Sequence, residues 1–174
     1  MWVTVLATVL SFVVGYLLAL LVERKKKQDD RVESANSLFF ELTDNRDSLQ
    51  RHIRTDEQVT SMRAEFRAGR INSVIFSLQT GAYRSILNSA ILQRFPLDIQ
   101  VSITNTYANI EMANEMDMQF LRIYTQTPTT VTTLFAESLG MYLLSMNRQE
   151  QDTLNRIVNL IALLRGKYRM AKHQ

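Results

Sequence analysis

Few residues in this chain are of a type that could do chemistry. Histidine occurs twice, as His52 between Arg51 and Ile53 and as His173 near the C-terminus, and cysteine is absent. A thiolate nucleophile is therefore excluded, and neither histidine stands in a ligand pattern such as H-E-x-x-H. Glu111 and Glu115 are one helical turn apart and could share a proton or a metal. With no histidine or second carboxylate pair at matching spacing, they read as a solvated helix face. Gly140 follows Glu137, Ser138 and Leu139 without a G-x-S-x-G elbow, and there is no glycine-rich phosphate loop. The sequence thus predicts no catalytic residue, no cofactor, no metal and no small-molecule substrate, and so a protein that is not an enzyme.

Polar residues on apolar faces are more informative. Arg46 interrupts an otherwise apolar stripe: it either faces an acid on a neighbouring helix and sets register, or its stem snorkels at the edge of a bundle. Asn105, Asn109 and Asn114, close to Tyr107, raise the same choice. A hydrogen-bond network there would fix helix order rather than perform a reaction.

The elements that must position these residues are helices. Five Gly, two Pro and no low-complexity tract leave little to turn hairpins of strands. Trp2 to Val22 is 21 residues without a charge, about 31 Å as a helix against a hydrocarbon core of about 30 Å. The run lacks a basic n-region and ends in Leu-Val-Glu, so it reads as a retained anchor rather than a cleaved signal peptide. Within it Ala7, Ser11, Gly15 and Ala19 recur every fourth residue, a stripe that lets two membrane helices approach closely.

Arg24, Lys25, Lys26 and Lys27 follow at once, and basic residues mark the cytoplasmic flank and the membrane surface. The expected topology is a single-pass cell-membrane protein with its N-terminus outside and its C-terminal domain cytoplasmic. Lack of cysteine agrees with a reducing compartment. Residues 23–27 carry the whole net charge of +3, and residues 28–164 hold 12 bases against 16 acids. A folded body without a basic stripe argues against a nucleic-acid partner.

The reading divides the chain into an anchor (1–22), a basic juxtamembrane segment with a heptad-patterned stalk (23–54) and a cytoplasmic bundle (55–174) that packs with 32–54. Val32, Ala35, Phe39, Leu42, Arg46, Leu49 and Ile53 alternate spacings of three and four, and of these Val32, Phe39, Leu42, Arg46, Leu49 and Ile53 form a candidate interaction stripe. A weak point is expected at Gln28, Asp29 and Asp30. Thr55 with Gln58 makes a capping box, opening a helix that carries Val59, Met62 and Phe66 and ends at Gly69. A third helix is expected over 71–94, burying Val74, Ile75, Leu78, Ala82, Ile86, Leu87 and Ala90. Pro96 starts a long helix with Ile99, Ile103, Tyr107 and Ile110 on one face and Met112, Met116, Phe120 and Ile123 on another. Thr127 and Pro128 start the next, burying Val131, Leu134, Phe135, Leu139, Tyr142 and Met146. After a polar break at 147–152, Leu154, Ile157, Ile161, Leu164 and Tyr168 lead to a basic end at Arg165, Lys167, Arg169 and Lys172. That end either complements the helix dipole or, if the helix returns toward the bilayer, joins residues 24–27 on an anionic leaflet. The fold class is all-α, a single N-terminal transmembrane helix followed by an antiparallel helical bundle.

The segments ELTDNRDSL (41–49), FSLQTGAYRSILNSAIL (76–92) and ITNTYANIEMAN (103–114) resemble those of a loose group of uncharacterised prokaryotic proteins with an N-terminal membrane anchor and a cytoplasmic helical domain. The shared positions are Asn45, Tyr83 and Tyr107 with Asn114 or Asn109. The resemblance implies an anchor and a helical domain, and no activity.

Together these features predict a scaffold, adaptor or accessory subunit of a membrane-associated assembly, in contact with membrane lipid and with a protein partner or a homo-oligomer of itself. The alternative is a membrane signalling or effector module that self-assembles through its anchor and stalk.

Overall fold

A computed structural model describes residues 2–68, 77–125 and 133–168, with side chains from Leu10 onward other than those of 124, 125 and 133. The described residues form five α-helices, α1 (Trp2–His52), α2 (Asp56–Arg67), α3 (Gly81–Asn88), α4 (Leu97–Thr125) and α5 (Thr133–Tyr168), with a 3-10 turn at Ile91–Arg94 and no strand. The chain is all-α.

One unbroken helix, α1, carries the uncharged run, the basic cluster and the heptad stripe. The expected weak point at 28–30 is absent. No Pro interrupts these residues, and the turn before them is tied by Lys27 to Glu23, 2.6 Å apart at i,i+4. Asp30 is held in turn by Arg94 at 2.7 Å. Among the described residues no helix is long and apolar enough to cross a membrane.

Cross-contacts fix the directions of the helices. Asp30 meets Arg94 and Glu41 meets Tyr107, so α4 runs parallel to α1. Arg165 lies over the Phe39 ring and Glu150 pairs with Arg54, so α5 runs antiparallel to α1. Phe66 faces Phe120 and Arg67 reaches Glu137, so α2 continues the line of α1 along α5. At Gly140 the chains come close enough that a Cβ would stand 2.8 Å from Arg63 Nε.

Two apolar cores result. The first joins Ala35, Leu38, Phe39, Leu42 and Leu49 to Ile99, Ile103, Tyr107 and Ile110, and to Ile157, Leu160 and Leu164. The second joins Val59 and Phe66 to Phe120 and to Ala136, Leu139, Leu143 and Met146. Each fully buried aliphatic or aromatic side chain stabilises the fold by about 1.5–3 kcal/mol.

The helix starts follow the sequence signals. Thr55 and Gln58 exchange side-chain and backbone hydrogen bonds in a complete capping box. Leu97 follows Pro96, whose missing N–H costs nothing at a helix start. Gly69, residues 71–76, Thr127, Pro128 and Val131 lie outside the described residues.

Elsewhere the structure differs from expectation. Of the helix expected over 71–94, the described residues form only α3 and the 3-10 turn, because residues 77–80 are not helical and their backbone groups bond to side chains of α1 and α4. Leu87 is exposed. Ala90 closes α3 with φ 54°, the left-handed region. An L-residue there is strained by about 1–2 kcal/mol. Ala90 is exposed, so Ala90→Gly is expected to stabilise the protein by about 1 kcal/mol. Chemical denaturation would measure the gain, and an unchanged midpoint would rule the strain out.

The polar break expected at 147–152 is also absent, and α5 runs through it for 36 residues. Asn147, Glu150 and Thr153 fall on one face at intervals of three and are buried. The inward face of α5 therefore differs from the expected one near its start, and Leu134 points outward with 78% of its surface exposed. Met112 is exposed too, leaving Phe120 as the buried member of the second face of α4.

Candidate functional site

The stripe at 32–53 serves the fold itself. Phe39, Leu42 and Leu49 are buried in the first core, Ile53 packs against it, and Val32 is half-buried. As a surface for a partner the stripe is corrected: amphipathic periodicity says that a face is covered, and here α4 and α5 cover it. Arg46 does not reach a neighbouring helix. Its Nε and Nη2 stand 2.8 and 2.7 Å from Asp47 Oδ1 at the half-exposed edge of the bundle. Glu111 and Glu115 are exposed, with Glu115 accepting from Gln119 on the same helix.

A polar network holds residues 77–80, which lead into α3. Asn45 donates through Nδ2 to the Gln79 carbonyl at 2.8 Å and accepts the Gln79 N–H at 2.7 Å. Asn114 does the same to Leu78, at 2.9 and 2.7 Å. A carboxamide offers a donor and an acceptor side by side, the complement of one residue's backbone N–H and C=O. Glu41 completes the arrangement. Its Oε2 accepts the Ala82 N–H at 2.7 Å, satisfying a donor in the first turn of α3, and its Oε1 accepts the Tyr107 hydroxyl at 2.7 Å. The Tyr107 ring is stacked on Tyr83 at 4.3 Å. Burial, with Glu41 beside it, pushes the Tyr107 hydroxyl well above its ordinary range.

The structure thus brings together Asn45, Tyr83, Tyr107 and Asn114. Asn109 lies elsewhere, donating to Asn105 O on its own helix and accepting from Gln149 on α5.

A second polar group divides the two cores. On each line of helices its members fall between residues of the first core and residues of the second: Arg54 between Leu49 and Val59, Asp117 between Ala113 and Phe120, Asn147 and Glu150 between Met146 and Ile157. Asn147 clasps the Arg54 backbone as Asn45 does Gln79, accepting its N–H at 2.9 Å and donating to its carbonyl at 3.0 Å. The Arg54 guanidinium is 3.8 Å from Glu150, an ion pair too long for a hydrogen bond. Asp117 Oδ2, both Glu150 oxygens and Arg54 Nη1 are buried without a hydrogen-bond partner among the described residues.

This belt has unusual proton affinities. Burial pushes Asp117 up to about 6, against the pull of Arg54 and His52. Burial pushes Glu150 up to about 7, with Arg54 opposing and Asp117 adding to the rise. Two carboxyls poised near neutrality are what an acid–base pair requires. However, neither lines the cleft of about 720 Å³ at the α1–α2 junction, which Arg51, His52, Arg54, Gln58 and Glu65 border. Only Arg54 belongs to both. The described residues hold no group of three acidic or histidine side chains placed to bind a metal ion.

Sequence reasoning singled out Arg46, Tyr107, Asn45, Asn109 and Asn114 but missed Glu41, Arg54, Asp117, Asn147 and Glu150. Glu41 had a signal, since Leu38, Leu42, Asn45 and Leu49 on the same face flank it.

In the uncharged run of α1, Ser11, Gly15 and Ala19 are exposed, and a Cβ on Gly15 would meet nothing within 4 Å. The side chain of Ala7 lies outside the described residues, as do Arg169, Lys172 and His173. Arg24, Lys25, Lys26 and Lys27 are all exposed on α1. Comparison with known proteins finds no family model that matches the chain, no similar curated protein and no similar solved structure.

Proposed function

We propose that the chain is a non-enzymatic, single-pass membrane-anchored protein whose helical bundle serves as a scaffold, adaptor or accessory subunit of a membrane-associated assembly. One observation carries this reading. From Leu10 to Val22, α1 projects with Leu10, Phe12, Tyr16, Leu17, Leu21 and Val22 all exposed, so the helix is apolar around its whole circumference and uncovered by the described residues. Such a surface needs an apolar environment. The uncharged run begins earlier, at Trp2, and reaches bilayer length over its whole extent. Arg24–Lys27 at its C-terminal flank support a bundle on the cytoplasmic side.

Membrane lipid and a protein, either foreign or another copy, are the partners of this reading. Because the 32–53 stripe is consumed inside the fold, protein contacts fall to the Ser11–Gly15–Ala19 face and to outward apolar residues such as Phe40 and Met112. Asn45, Asn114, Asn147 and Glu41 hold the chain to itself, which supports a binding role over a reaction.

The full-length protein is expected to stay with native membranes through alkaline carbonate extraction and, after gentle solubilisation, to carry a stoichiometric foreign protein detectable by native mass determination. Release into the carbonate supernatant would sink the anchor.

A second reading has its own support. The unbroken helix from anchor into core can transmit a tilt or rotation, as a signalling or effector module that self-assembles would require. Recovery of the chain alone in a fixed number of copies, with leakage from liposomes that contain it, would favour that module.

A further inference from the structure

We infer that the anchor-proximal tip of the bundle is a lipid-facing platform, built by the start of α4 and the end of α5, that seats on an anionic bilayer surface. This rests on the reading of Trp2–Val22 as a membrane anchor. The tip is formed from three separate stretches. Arg94 pairs with Asp30 and Arg31 donates to the Arg94 carbonyl at 3.2 Å. Phe95 packs edge-on against Tyr168 at 5.9 Å, and Lys167 stands 3.9 Å from Asp98. The last turn of α5 therefore lies beside residues 30–31 of α1, one turn beyond the basic cluster.

Charge is distributed accordingly. Residues 23–33, 91–98 and 165–168 at this end hold eight bases against five acids, whereas residues 54–68, 111–125 and 133–145 toward the other end hold four against seven. An anionic leaflet attracts the first and repels the second. Leu97, the first residue of α4, is 73% exposed at this tip, between Arg94 and Asp98 in the chain.

The distances permit the contact. Asp30 is eight residues past Val22, about 12 Å along the helix axis. The headgroup layer occupies roughly 5–8 Å of that on each side of a bilayer. The tip thus stands within a Debye length of the surface, about 8 Å at physiological salt. A modest tilt of α1 would bring Leu97 into the headgroups.

Because the chain has no cysteine, Leu97→Cys and Leu134→Cys each provide a single labelling position on exposed side chains at opposite ends of the bundle. The full-length protein would carry a polarity-sensitive fluorophore at one or the other, in nanodiscs of phosphatidylcholine alone or with phosphatidylglycerol. The expected result is a blue shift and severalfold stronger quenching by headgroup-attached quencher at position 97 in the anionic discs. Both effects should weaken in high salt and in Lys167→Glu, with position 134 unresponsive. Equal, lipid-independent responses at the two positions of a chain embedded in the discs would overturn the platform and leave the anchor standing. A chain that stays out of the discs overturns the anchor reading, and the platform with it.

Discussion

Arg54→Ala is expected to destabilise the protein by about 3–5 kcal/mol at pH 8, because it leaves buried carboxylates without their compensating charge. The loss at pH 5 should be much smaller. In the folded state burial holds Asp117 at about 6 and Glu150 at about 7, above the ordinary values near 4 that both resume on unfolding. Between about pH 4 and 7 the folded protein therefore binds more protons than the unfolded chain, and the contribution of these two groups to stability falls as pH rises through that window. Arg54 opposes the rise at both carboxyls, as His52 does at Asp117. Without Arg54, both folded values move further up and the fall steepens and extends beyond pH 7. At pH 5 the two carboxyls are largely protonated in the folded state, and the variant lacks little more than the packing of its stem. Denaturation midpoints from pH 5 to 8 would measure this, with Glu150→Gln expected to flatten the slope. An equal cost for Arg54→Ala at both pH values would exclude an electrostatic role for the belt.

The belt also marks where reading the sequence stops working. Helix starts were legible because their signals are local: the Thr55–Gln58 box and Pro96 act within one turn. Ile99, Ile103, Tyr107 and Ile110 were legible as a buried face because spacings of three and four gather them on one side of a helix. The run NRQEQD read as a break because polar residues together usually face water. It contains neither Gly nor Pro, and its helix continues with Asn147 and Glu150 turned inward, toward an arginine 93 and 96 positions earlier in the chain.

Segment 77–80 failed for the same reason. Its apolar neighbours have helical spacing, but its backbone partners are Asn45 and Asn114, 34 and 36 residues away. Residues without a local role thus carried the long-range organisation. Asn114 stood out only as a polar residue near Tyr107 on an apolar helix, Asn45 only through the resemblance, and Glu41 not at all.

Asn45→Asp follows from that organisation and should cost about 3 kcal/mol at pH 8, since it removes one buried hydrogen bond and sets a charge against a carbonyl. The carboxamide is 1% exposed and meets both backbone groups of Gln79. An ionised carboxylate can still accept the Gln79 N–H, but its second oxygen faces the Gln79 carbonyl with no proton to offer. Protonation restores the match, because a carboxylic acid presents one acceptor and one O–H donor in nearly the amide's arrangement. The introduced carboxyl should therefore titrate well above its ordinary value in the folded state, and stability should be lost as pH rises through that raised value. Amide exchange at Gln79 is the direct readout: slow in the parent at all pH values, slow in the variant at acid pH, and fast in it at pH 8. Asn45→Ala, which offers neither donor nor acceptor, should be destabilised with no such pH dependence. If the aspartate variant behaved like the alanine one across the pH range, the paired donor and acceptor would not be what holds residues 77–80 against α1.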